Sequence, residues 1–120
     1  MAGFKKQTNP FIVPTTDGKL IEEHFGMAST GSSQCSVAHM IAPPGWSEPY
    51  QKPEFDEFTI MISGTKIIEF NDEIVELKAG ETLLVNAGTR LRYSNPYEEP
   101  AEYWSFCIPA FSPDTVHRED

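Results

Sequence analysis

Cysteine is scarce in this chain, with Cys35 and Cys107 the only two in 120 residues. No C-x-x-C occurs, so no framework of paired cysteines is legible. Basic residues are also few, nine Lys and Arg against eighteen Asp and Glu, for a net charge of -9. Nucleic-acid phosphates and anionic headgroups are recognised by basic faces, so neither a nucleic-acid nor a membrane-surface partner is expected. No apolar run is long enough to cross a bilayer. The opening residues, MAGFKKQTNPF, carry two lysines but no apolar stretch behind them, so they do not read as a signal peptide. A cytoplasmic protein with reduced thiols is the simplest expectation. Helical periodicity is missing as well, and so are internal repeats and low-complexity segments.

What is present points to short strands. Hydrophobic residues make up 39% of the chain and aromatics 12%, enough for a core in a single domain. Ten prolines and eight glycines interrupt it every few residues. Between them, strands are expected over 19–25, 34–42, 54–63, 65–71, 73–78, 82–86, 90–94 and 101–108. Many short strands at even spacing predict an all-β sandwich or barrel over residues 17–110. Residues 1–16 read as an irregular arm, with Pro10 and Pro14 blocking regular structure, and 111–120 as an irregular tail.

Two segments carry a recognisable spacing. In the first, Gly45 is followed by five residues, Gln51-Lys52-Pro53, three residues, Glu57, six residues and Gly64. In the second, Gly80 is followed by five residues, Asn86-Ala87-Gly88, two residues, Leu91, three residues and Asn95. Both resemble the signature motifs of the cupin superfamily, and the resemblance covers roughly residues 35–108. It implies a jelly-roll β-barrel of the small single-domain type. Gly64, Gly80 and Gly88 fall between strands, where tight turns call for positive φ.

The resemblance also implies where a metal would sit, since family members that bind one use two histidines and a glutamate from the first motif and a histidine from the second. Here those positions hold Gln51, Pro53, Glu57 and Leu91. Pro53 and Leu91 offer no donor atom, Gln51 is a weak neutral ligand, and Glu57 alone is a good one. A zinc or iron site needs about three good protein ligands, so no metal or other cofactor is expected at that position. If a divalent metal were held, a rearranged set of Glu57, Gln51 and His39 would have to hold it. His39 shares a strand face with Val37 and Ile41, which leaves it either a packed core residue or an inward-pointing one.

Strand alternation extends the expected lining. If Glu57 faces inward, Phe55, Thr59 and Met61 share its side, and if Leu91 does, so does Tyr93. The cavity would then be formed by Gln51, Pro53, Phe55, Glu57, Met61, Leu91 and Tyr93, with His39 possible. Such an apolar pocket with a few polar groups suits a small organic ligand. Glu57, partnered by Gln51 or Tyr93, could also serve as a general acid or base, with Tyr93 as its catalytic companion. Three functions stay open: a metal-free binding module, an enzyme (isomerase, epimerase, lyase or oxygenase), and a structural protein whose barrel is filled by its own side chains. Arg90 and Arg92 have outward parity and should form surface ion pairs. Phe58, Ile60 and Ile62 point away from Glu57, and an apolar stripe of that size predicts a homodimer unless the arm or a second sheet covers it.

Overall fold

The computed structural model describes residues 3–119. The chain runs through ten strands: β1 (Phe11–Ile12), β2 (Leu20–Phe25), β3 (Ser36–Ala42), β4 (Trp46–Ser47), β5 (Asp56–Ser63), β6 (Thr65–Glu69), β7 (Ile74–Lys78), β8 (Thr82–Val85), β9 (Arg92–Asn95) and β10 (Ala101–Ile108). Among the described residues there is no helix. One sheet has six strands in the order β1-β2-β3-β10-β5-β8, and the other has four in the order β4-β9-β6-β7. Every pairing is antiparallel, and β10 lies between β3 and β5, far from both in sequence. This is the expected all-β jelly roll. The strands expected from turn residues form within a few residues of their bounds, while β1 and β4 were not expected.

The polarity of the two faces is the reverse of an ordinary sandwich. On β5, Glu57, Thr59 and Met61 are buried, whereas Phe58, Ile60 and Ile62 are 37–48% exposed. On β10, Tyr103, Ser105 and Cys107 are buried between outward-facing Trp104, Phe106 and Ile108. Polar side chains turn inward because the interior is not uniformly apolar. Met61, Ile68, Leu91 and Tyr103 belong to one apolar cluster, and Phe55, Cys107 and Val116 to another. Along β5 and β10, Glu57 and Ser105 fall between the two clusters, so a polar layer separates two apolar ones.

Turn chemistry fixes the frame. Gly64 has φ 75°, and a Cβ there would come within 2.2 Å of the Pro100 carbonyl oxygen, so no other residue fits the β5–β6 turn. Asn95 is fully buried at the end of β9. Its amide donates to the carbonyls of Ala42, Pro43 and Glu99 at 3.2, 3.3 and 2.8 Å, and its oxygen accepts from the Tyr97 amide at 3.1 Å. A single side chain thus satisfies backbone groups of two segments, the end of β3 and the loop after β9, which accounts for an asparagine at this point.

Arm and tail are tied to the barrel. β1 pairs with β2, and the Val13 amide donates to Ile21 O at 3.0 Å. The tail runs beside residues 50–54: Glu54 N donates to Thr115 O at 2.9 Å and Glu119 N to Tyr50 O at 2.8 Å. Neither covers the outer face of the six-stranded sheet, where Leu84, Phe106 and Ile108 join the β5 stripe at 37–50% exposure.

Candidate functional site

The barrel encloses a cavity of about 280 Å³. β5 supplies Glu57, β6 supplies Lys66, β9 supplies Tyr93, and β10 supplies Ser105 and Cys107. Lys19 enters from the residue before β2, and Glu48 and Gln51 from the segment after β4. The arm (Val13 to Thr16), the adjoining Asp17 and the tail (Phe111, Val116, Arg118) complete the wall, so both segments read as irregular extensions help to close the site.

Glu57 is the centre of a hydrogen-bonded cluster. The Tyr93 hydroxyl donates to its Oε1 at 3.0 Å and the Ser105 hydroxyl to its Oε2 at 2.5 Å. A buried carboxylate therefore has a donor on each oxygen, which offsets its desolvation. Burial, and then the Glu57 charge, raise the Tyr93 phenol well above its usual pKa, so Tyr93 keeps its proton and donates. Burial likewise pushes the Cys107 thiol well up, with Glu57 adding to the effect, so this cysteine is not a nucleophile at neutral pH. Cys35 and Cys107 are both free. The partner of Cys107 across the ladder is Ser36, one residue away from Cys35.

Two lysines face the same space. Lys66 is 1% exposed, and its Nζ lies 3.9 Å from the Tyr93 ring centre and 3.8 Å from that of Tyr103. Lys19 is buried with Nζ 4.4 Å from the Trp46 ring centre and 5.4 Å from that of Tyr103. Their charge states differ. Burial works against the Lys19 ammonium, yet Tyr103, Glu48 and Glu57 outweigh it and raise its pKa. Burial, with the Lys19 charge added, takes Lys66 down to about 7. Burial pushes the Tyr103 phenol up to about 12. The Tyr103 hydroxyl is buried with no partner that meets hydrogen-bond geometry, although the Lys19 charge acts on it.

Of the residues expected from sequence to line the cavity, Gln51, Phe55, Glu57 and Tyr93 do so. Met61 and Leu91 are buried but pack in the apolar cluster beside it, and Pro53 is buried without reaching it. Gln51 does not partner Glu57. It exchanges backbone hydrogen bonds with Leu91 at 2.8 and 2.9 Å, and its Oε1 accepts from Arg118 Nε at 3.4 Å.

His39 corrects the expectation of an inward histidine. It lies on the outer face of β3, where Nδ1 meets Glu22 at 2.7 Å and Nε2 meets Glu102 at 2.6 Å. Ser36, Ala38 and Met40 form the inner face instead. The apolar neighbours Val37 and Ile41 misled because the outer face of this sheet is the apolar one. Arg90 and Arg92 do pair outside, with Glu119 and Glu69. Glu48, in the segment that follows Gly45, is 9% exposed at its side chain and lines the cavity. Lys66 was not singled out from the sequence, although its alternation with buried Ile68 on β6 carries the signal.

The donor set does not fit a family-type metal. Glu57 already accepts two hydroxyl donors, Pro53 and Leu91 have no donor, and His39 points outward. Among the described residues no three His, Cys, Asp or Glu side chains cluster as a metal site would. Two lysines facing the same space further oppose a cation there.

Comparison with known proteins agrees with the architecture. A family model described as the cupin domain matches residues 38–109. A Myxococcus xanthus protein named endoribonuclease YbeY is 46% identical over 108 residues, covering 90% of this chain but 37% of that protein's length. Streptomyces PAC13, solved as a variant with uridine, superposes with a TM-score of 0.78 at 16% identity, covering 98% of this chain and 92% of that one. A Klebsiella pneumoniae protein with a double-stranded β-helix domain superposes with a TM-score of 0.70 at 19% identity, covering 91% of each chain.

Proposed function

This chain belongs to the cupin domain family, and from that premise we propose that its barrel cavity takes up a small polar organic molecule, held by charged and hydrogen-bonding side chains rather than by a metal. The observation that carries this reading is the lining itself. A filled structural barrel would place apolar side chains where this one places Lys19, Glu48, Glu57 and Lys66 around about 280 Å³ of space. That volume lies near the lower end of the range of small-molecule sites, roughly 300–1,000 Å³. Acidic and basic groups facing one cavity favour a ligand with both donors and acceptors over a simple hydrocarbon or a strong polyanion.

Uridine is the first ligand to test, because the Streptomyces structure of similar fold is described with it. The ribonuclease activity in the name of the Myxococcus relative is not part of this proposal. This chain spans 37% of that protein, and its charge of -9 disfavours RNA phosphates.

A contact between Tyr93 and Glu57 favours a second reading, general acid–base catalysis on the bound molecule. A proton donor and a carboxylate meet in the cavity wall, as an isomerase, epimerase or lyase requires.

Calorimetric titration with uridine and a panel of small polar metabolites tests the first reading, alongside elemental analysis of untagged protein. Saturable binding that weakens at least tenfold in Glu57→Gln is expected. Near-stoichiometric iron, nickel, manganese or zinc would overturn the metal-free reading. For the second, NMR of the bound ligand in D2O should show deuterium entering a carbon position, and Glu57→Gln should abolish it.

A further inference from the structure

We propose that Lys66 is a nucleophilic amine that condenses with the carbonyl group of a small aldehyde or ketone in the cavity to form an imine. The inference extends the ligand-binding reading above, since the carbonyl compound must enter the same space.

The surroundings of Lys66 are unusual for a buried lysine. Buried lysines are normally paired with a carboxylate, but among the described residues Lys66 makes no ion pair and no side-chain hydrogen bond. The obvious partner, Glu57, has both oxygens engaged by Tyr93 and Ser105. Its Nζ rests instead against the ring faces of Tyr93 and Tyr103, and the residue is part of the cavity lining. Those contacts hold the amine in place, and neither is a hydrogen bond that consumes the nitrogen lone pair of the neutral form.

The charged and titratable groups around it are Lys19 ahead of β2, Glu48 after β4, Glu57 on β5, Tyr93 on β9, and Tyr103 and Cys107 on β10. Burial and the Lys19 cation favour the neutral amine, while Glu57, Glu48 and Cys107 favour the ammonium, and the balance falls at about 7. The balance of these groups moves Lys66 from the ordinary lysine range toward the free amine. Desolvation beside a second cation is a known means of activating a lysine.

The step balances without a further reactant. The Lys66 lone pair attacks the carbonyl carbon, and the carbonyl π pair moves to oxygen, which takes up a proton. The nitrogen loses a proton, giving a neutral carbinolamine. Its hydroxyl then leaves as water on protonation as the nitrogen pair closes the C=N bond, and the iminium nitrogen gives up its proton to leave the imine. The net change is carbonyl plus amine to imine plus water. Tyr93 and Glu57, in the same wall, are placed to pass the proton.

Glycolaldehyde with sodium cyanoborohydride is the test, because the probe is small enough for the cavity whatever its natural occupant. Peptide mapping after brief treatment at pH 7 should find the reduced adduct on Lys66 at least tenfold above exposed Lys52 and Lys78. Labelling should rise with a midpoint near pH 7, and Lys66→Met should lack the adduct. Modification confined to exposed lysines and the N-terminal amine would overturn the proposal, and the wild-type map alone decides this. A ligand that binds wild type and Lys66→Met alike, with no adduct at Lys66, would defeat the imine and leave the binding reading standing. An adduct at Lys66 with no ligand found in the titrations would do the reverse.

Discussion

Tyr93 on β9 donates a hydrogen bond to Glu57 on β5 across 3.0 Å, and so joins the four-stranded sheet to the six-stranded one through the polar layer. Tyr93→Phe keeps the ring beneath Lys66 and removes only that donor. It should cost about 1–3 kcal/mol, because a buried carboxylate oxygen is left unsatisfied. Glu57→Gln should cost less, since an amide oxygen can still accept from Tyr93. Combining the two should cost less than the sum of the singles. Urea denaturation of the four proteins measures this, and additive effects within about 0.5 kcal/mol would mean that the two groups do not act as a pair.

Lys66 should weaken the fold while serving the site. Its folded-state pKa of about 7 lies below the ordinary lysine value of 10.5. Between those values the unfolded chain binds the proton that the folded chain releases, so this group makes stability rise with pH over that window. Below pH 7 the whole cost of burying the amine is present. Lys66→Met should therefore stabilise the protein by roughly 2–4 kcal/mol below pH 7, and the gain should shrink toward pH 10. Chemical denaturation at pH 6, 8 and 10 checks the sign. A gain that grew with pH would refute the assignment.

Glycine and asparagine spacing made most of the barrel legible in advance. Gly64, Gly80 and Asn95 mark turns and a buried amide whose geometry tolerates little else, and they place Gln51, Glu57 and Tyr93 where the cavity needs them. Other parts carried weaker signals. Val37, His39 and Ile41 alternate like a core face, yet they face out, because the sheet buries its polar side and leaves its apolar side open. Lys66 has the parity of Ile68, but a lysine in a short strand reads as solvated unless the inward face of that strand is known. Arm and tail have no period, so nothing local to Val13 or Val116 announces that they close the cavity.

The ion pairs of His39 give the outer face its own pH dependence. Burial lowers the imidazole pKa, but hydrogen bonds and charge from Glu102 and Glu22 outweigh it and raise it above 6.5. A raised folded-state pKa contributes stability that is complete below the unfolded value and is lost as pH rises through the folded one. His39→Gln should therefore cost on the order of 1 kcal/mol at pH 5.5–6, the partners being partly exposed and screened. The difference from wild type should narrow at higher pH. A constant difference from pH 5.5 to 9 would show that the pairs do not titrate as charged contacts.

The outer face of the six-stranded sheet has the chemistry of a contact between two copies of this chain. Phe58, Ile60, Leu84, Phe106 and Ile108 are each 37–50% exposed. Neighbouring strands bring them together: Phe58 sits opposite Leu84 on one side and Phe106 on the other, and Ile60 lies opposite Trp104. A two-fold contact uses one patch twice, so it needs a surface complementary to itself, and apolar side chains meet that need with no charge pattern to match. We expect a homodimer at micromolar concentration by light scattering. Ile60→Lys, which turns outward and leaves the cavity untouched, should shift it to monomer while ligand binding persists. A single-chain mass for the wild type would remove the second copy as the cover for this face.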